Sequence, residues 1–86
     1  MMFEFTLICD EKEIFSGQVS KVLIETNTGP VEILPQHQPY MARIMNKIAY
    51  TIIEEGAQVI TEIKDGFIYT NGSKCIAIVD YNINVS

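Results

Sequence analysis

Leu34-Pro35-Gln36-His37-Gln38-Pro39 divides two stretches of strand-like sequence. Proline fixes φ and lacks the N–H that a sheet ladder needs, so a strand core cannot easily hold this segment. It reads as a rigid, extended corner between two strands, presenting the chain's single histidine. Upstream, Val31-Glu32-Ile33-Leu34 leads into it. Downstream, Tyr40 to Met45 and Lys47 to Ile53 read as two strands joined near Asn46.

The same pattern extends outward in both directions. Phe3, Phe5, Leu7 and Cys9 alternate with more polar neighbours, as in a half-buried strand. Asp10-Glu11-Lys12 is a polar turn. Glu13-Ile14-Phe15 is a short strand closed by Ser16-Gly17, and Val19 to Thr26 is the next. Asn27-Thr28-Gly29-Pro30 is loop chemistry. Glu54-Glu55-Gly56 makes a turn, Gln58 to Lys64 a strand, and Asp65-Gly66 another turn. Phe67 to Thr70 and Lys74 to Tyr81 flank Asn71-Gly72, a strong hairpin signal of the kind that favours a type I′ turn. Turns recur throughout at the spacing of an antiparallel sandwich or barrel.

Composition agrees. The 86 residues hold fourteen isoleucines but three leucines and four alanines. Isoleucine suits pleated strands, whereas leucine and alanine suit helices. One domain spanning 1–86 is expected: an all-β, antiparallel sandwich or flattened barrel of about ten short strands. A chain of this size buries roughly 60–65% of its unfolded surface, leaving little room for a deep enclosed site.

Several function classes are disfavoured. The net charge is −5 and the six cationic residues are scattered, unlike the clustered basic patch of a nucleic-acid binder. Direct docking to an anionic membrane is disfavoured for the same reason. No apolar run approaches the roughly 20 residues of a membrane-spanning helix. Cys9 and Cys75 each sit inside a strand, as small apolar core residues do. No secretory signal precedes them, so free thiols in a reducing, cytoplasmic compartment are expected. There is no phosphate-cradling glycine loop. His37 has no second histidine and neither cysteine has CxxC spacing, so no metal or other cofactor is expected. A Cys–His nucleophile pair would need a cysteine beside His37 in a cleft, and both cysteines read as core-facing. Nothing assembles a nucleophile, base and oxyanion site, so no catalytic residue is assigned.

His37 has three readings from its residues alone. It holds the corner by bonding backbone groups, or it is a contact on a partner-facing edge, or it is catalytic. A histidine contact would make partner affinity pH-sensitive. Cys75-Ile76-Ala77-Ile78-Val79 is apolar on both faces, and Ile48 to Ile53 nearly so. A strand with one wet face alternates instead. Either a tightly curled barrel or shielding loops cover the second face, or a protein partner does.

Four motifs in order carry a family resemblance over nearly the whole chain. They are Phe15-Ser16-Gly17-Gln18-Val19, then Leu34-Pro35 with His37 and Pro39, then Gly66-Phe67, and then Asn71-Gly72 followed by Val79-Asp80. Together they resemble the N-terminal β-sandwich domain of the epsilon subunit of F-type ATP synthase. The resemblance implies a non-catalytic central-stalk (rotor) subunit, coupling proton flow to ATP synthesis. It would work as a peripheral part of the complex on the cytoplasmic side of the membrane, without lipid insertion. It implies two partners, the gamma subunit and the c-ring. By family position, His37, Pro39 and Ala42 fall on the gamma side, and Gly29, Pro30, Val31 and Glu32 fall in the c-ring loop.

Two departures stand out. In the family's Gly-Glu-x-Gly loop Gly29 is kept, but Pro30 takes the place of the acid and Glu32 that of the second glycine. Glu32 is a candidate substitute for that acid, although alternation sets it on the opposite face from Val31. The family's alanine-rich helical hairpin does not follow. Either a natural short form or a piece of a longer chain explains that, and the hairpin's inhibitory and ATP-binding roles are not assigned. Two other readings are a small β domain that binds a peptide or protein by edge-strand addition, and a small-ligand barrel, which the bulky isoleucines disfavour.

Overall fold

The computed structural model describes residues 2–81, with the side chain of Tyr81 excepted. The described residues form six strands: β1 (Phe3–Cys9), β2 (Lys12–Thr26), β3 (Gly29–Ile33), β4 (Tyr40–Ile52), β5 (Ala57–Thr70) and β6 (Lys74–Tyr81). Their order is β1-β6-β5-β4-β2-β3, and a β1–β2 pairing closes the sheet on itself. All pairs are antiparallel except β1 with β6, which run parallel.

The expected ten or so short strands are therefore six, because several expected breaks are bends within one strand. β2 runs unbroken through Ser16-Gly17, with register shifts against β1 next to Ile14 and against β4 at Ser20. β4 bends at Asn46 (φ 69°), where the two-strand reading had its joint. β5 runs through Asp65-Gly66, with Lys64 skipped in both of its ladders. An extra residue in one strand sharpens twist and bends the strand without ending it. As a result β2, β4 and β5 each serve two layers. The front layer is the first half of β2, then β1, β6, the second half of β5 and the first half of β4. The back layer is β3, the second half of β2, the second half of β4 and the first half of β5.

Gly66 shows why a turn signal misled. A Cβ there would lie 2.5 Å from Val79 Cγ1 and 2.6 Å from the Ile78 carbonyl oxygen. Its glycine permits close approach of β6 rather than a turn. The Asn71-Gly72 hairpin is present, but only Gly72 (φ 101°) has positive φ, so it is not type I′. The loop is wider and is organised by the Asn71 side chain, whose Oδ1 accepts from the Ser73 and Lys74 amides at 3.1 and 2.9 Å. The two-residue loop with both φ positive is instead Asp10-Glu11 (49° and 70°), between the paired residues Cys9 and Lys12.

The core lies between the layers. Phe5, Leu7, Val19, Val22, Ile24, Ile33, Ile44, Ile48, Ile63 and Ile68 are all at most 2% exposed. At one end the rings of Phe5, Phe15 and Tyr50 meet, with centroids 4.7 to 6.1 Å apart. β-branched side chains keep one rotamer on a pleated surface, so isoleucine fills this space at little entropic cost. Cys9 and Cys75 are buried and unbridged. Burial pushes the Cys75 thiol up to about 12, so it stays protonated and inert at neutral pH.

Candidate partner-binding surfaces

The Leu34–Pro39 corner is a tight turn rather than an extended one. Pro35 sits at the first central position and Gln36 (φ 65°) at the second, and the His37 amide donates to the Leu34 carbonyl at 3.1 Å. That is the pattern of a type II turn, which demands positive φ at its second central residue. The Gln36 amide donates to the Gly72 carbonyl at 2.9 Å, which pins the corner to the β5–β6 loop. His37 is half-buried. Its Nδ1 lies 2.8 Å from the Gln38 carbonyl oxygen, and its ring meets Tyr40 edge-on at 5.6 Å. A carbonyl only accepts, so Nδ1 carries the proton and Nε2 is the other ring nitrogen, left for an outside group. Pro39 is exposed beside it. Ala42 packs partly against the core, and its neighbours Met41 and Arg43 are the ones that face outward.

The residues carried over to a c-ring loop lie between the Asn27-Thr28 turn and the corner. Local sequence makes Gly29 and Pro30 loop, and Val31 and Glu32 a lead into the corner. They form most of β3, paired to β2 in the register Thr26–Gly29 through Val22–Ile33. The turn itself is only Asn27-Thr28, tied by the Thr26 hydroxyl donating to the Gly29 carbonyl at 2.8 Å. Pro30 is tolerated because β3 pairs on one side only. Val31 packs against the core, while Glu32 faces outward, 3.9 Å from Lys21.

The two outer faces differ. On the back layer, Leu23, Ala49 and Ile60 are direct cross-strand neighbours. The small Ala49 between larger side chains leaves a hollow of about 610 Å³. Ion pairs of Lys21 with Glu32 and Lys47 with Glu25 border it. On the front layer, Met41 (69% exposed), Phe67 (59%), Ile78 (54%) and Tyr69 (44%) lie side by side. The doubly apolar β6 run explains this face: Cys75, Ala77 and Val79 point into the core, and Ile76 and Ile78 point out.

At the margin of the front face, Arg43 donates through Nε and Nη2 to the two carboxylate oxygens of Asp65, at 3.0 and 2.8 Å. These bonds, followed by the guanidinium charge, the Gly66 amide and nearby Lys64, hold the Asp65 carboxyl below its usual range, against the opposing effect of burial. The diagonal Arg43–Asp65 pairing and the exposed Phe67 depend on cross-strand register, which local sequence reading does not contain.

Two layers with a filled core, bent strands shared between them, and no helix among the described residues define a small β-sandwich domain. Over residues 2–84 the chain matches the model of the ATP synthase delta/epsilon chain β-sandwich domain, and it belongs to that family. It is 27% identical over 75 residues to the ATP synthase epsilon chain of Corynebacterium urealyticum, covering 86% of this chain and 60% of that protein. It is 33% identical over 63 residues to the epsilon chain of Maricaulis maris, covering 73% of this chain and 47% of that one. The chain thus spans roughly half to two thirds of the length of the curated relatives it matches. Its fold matches a chain of the Euglena gracilis mitochondrial ATP synthase with a TM-score of 0.77 at 20% identity, over 93% of this chain and 50% of that one. A chain in the central stalk and c-ring structure of the Tetrahymena thermophila enzyme gives 0.70 at 20% identity, over 93% and 64%.

Proposed function

We propose that this chain is a non-catalytic central-stalk subunit of a rotary, proton-translocating ATP synthase. In this role it packs on the gamma subunit and the c-ring on the cytoplasmic side of the membrane and carries torque between them. The family match across 2–84 carries the reading. The epsilon-chain names of its relatives support it, as does an outer face too apolar for a strand layer left in water. His37, Pro39 and Ala42 are assigned to the gamma side, and Gly29, Pro30, Val31 and Glu32 to the c-ring loop. The corner's fixed backbone and its Nε2 suit a contact that is formed before binding.

The test is co-elution and calorimetry of this chain with the gamma subunit from the same organism. A one-to-one complex is expected, weakened by about 1–3 kcal/mol in His37→Ala if that residue sits at the centre of the contact. A folded gamma subunit that does not bind overturns the reading. In that case edge-strand addition is the next reading, because the first half of β4 pairs only with β5 and leaves one edge open.

A further inference from the structure

The front face reads as two cross-strand rows. Met41, Tyr69 and Ile76 face one another across β4, β5 and β6. Phe67 and Ile78 form the next row, which continues to Ile8 on β1. Neighbouring rows are two residues apart on each strand, so these side chains make one continuous apolar strip.

The two ends of the strip differ in charge. At one end Glu4 stands opposite Lys74, acid against base. At the other end Asp65 stands directly opposite Asp80. The Asp10 amide donates to the Val79 carbonyl at 3.1 Å, which places a third acidic residue next to this row. Like charges in adjacent strands destabilise a sheet. Arg43 answers Asp65 alone, on the side away from β6, with both of its bonds spent there. Lys64, at the bulge, lines a hollow together with Arg43 and Asp65, and its charge also acts on Asp65. Lys12 lies opposite Cys9 on β2. Asp65, Asp80 and Asp10, set against Arg43 and Lys64, leave this end of the apolar strip with an excess of negative charge.

We propose that the front face docks a protein partner whose contact strip is apolar and carries a lysine or arginine at the Asp80 end. In a second copy of this chain the cation available to Asp80 would be Lys74, which stands opposite Glu4 at the strip's other end. The proposal rests on the central-stalk reading, which supplies the probe: the gamma subunit from the same organism.

Calorimetry with that gamma subunit tests the proposal, with circular dichroism confirming the fold of each variant. Phe67→Ser and Ile78→Ser are each expected to raise Kd at least about tenfold. Ile60→Ser, equally exposed on the back layer, is expected to leave Kd unchanged. Asp80→Asn is expected to raise Kd several-fold at low salt, and the difference should close as salt screens the pair. Wild-type binding that ignores both front-face substitutions overturns the surface. An Asp80→Asn variant that binds like wild type at every salt concentration overturns the basic contact. Self-association that Phe67→Ser abolishes overturns the choice of partner in favour of a second copy. Absence of any wild-type complex overturns the central-stalk reading itself, and this proposal with it.

Discussion

The outer faces of the two layers share β2, β4 and β5, yet they meet solvent differently. The back face sets a short apolar row, Leu23–Ala49–Ile60, with two ion pairs bordering it. The front face carries two apolar rows with charge only at the ends. A layer bordered by long charged side chains is already adapted to water, since their stems cover apolar surface while the heads stay solvated. The front layer has one such pair, Arg43–Asp65, at its margin, and the apolar rows beside it are adapted to being covered. The difference locates the docking surface by what each face lacks, rather than by any single residue.

The comparison predicts a sharp contrast between the inner and outer sides of the front layer. Phe5→Ala removes a fully buried ring from the aromatic cluster and should cost about 3–5 kcal/mol in urea unfolding. Phe67→Ala, on the outer side of the same layer, should change stability by under about 0.5 kcal/mol. Similar losses for both would mean that the outer strip is structural rather than a docking surface.

Gly66→Ala probes the seam beneath that strip. The added methyl meets the Ile78 carbonyl and Val79, so β5 and β6 must separate. A loss of about 1–3 kcal/mol is expected from the overpacking. A neutral result would show that the two strands are free to part at this level.

The Arg43–Asp65 pair at the strip's margin gives a pH test. The Asp65 carboxyl is lowered, chiefly by the Arg43 hydrogen bonds. Its contribution to stability is therefore present above the unfolded carboxylate value, about 3.9, and is lost as pH falls through its lower folded value. In Arg43→Gln, a carboxylate titration followed by NMR should show Asp65 moving upward, and acid unfolding should begin at higher pH. An unmoved Asp65 would mean that the pair does not persist in solution, as exposed ion pairs often do not.

The smallest effect concerns the Asp10-Glu11 loop. Both residues have positive φ, which disfavours side chains other than those of Asn and Asp. Replacing the pair with Asn-Gly should raise the thermal midpoint, by the equivalent of about 1 kcal/mol or less. If the front face binds through the acid at this end, the same variant should also bind gamma less tightly.

Alternation in Phe3–Cys9 and Val19–Thr26, the isoleucine excess and the turn residues are local properties. They were enough for an all-β chain with a corner at Leu34–Pro39, because periodicity and backbone preference act over a few residues. The doubly apolar Cys75–Val79 run likewise marked a strand whose outward side chains, Ile76 and Ile78, are apolar. Strand length was not legible, since Ser16-Gly17 and Asp65-Gly66 carry turn chemistry. Their roles, a glycine beneath the Phe15 ring and a glycine against β6, exist only once the partner strands arrive. Pro30 read as loop for the same reason: whether a missing N–H matters depends on which side of the strand is paired.

Fold class, the presence of a corner at Leu34–Pro39 and the apolar excess thus follow from the chain alone. Which strands bend rather than break, and that Met41, Phe67, Tyr69 and Ile78 converge on one face with Asp65 and Asp80 at its end, follow only from cross-strand register. That register joins residues far apart in sequence, and packing of the whole core selects it.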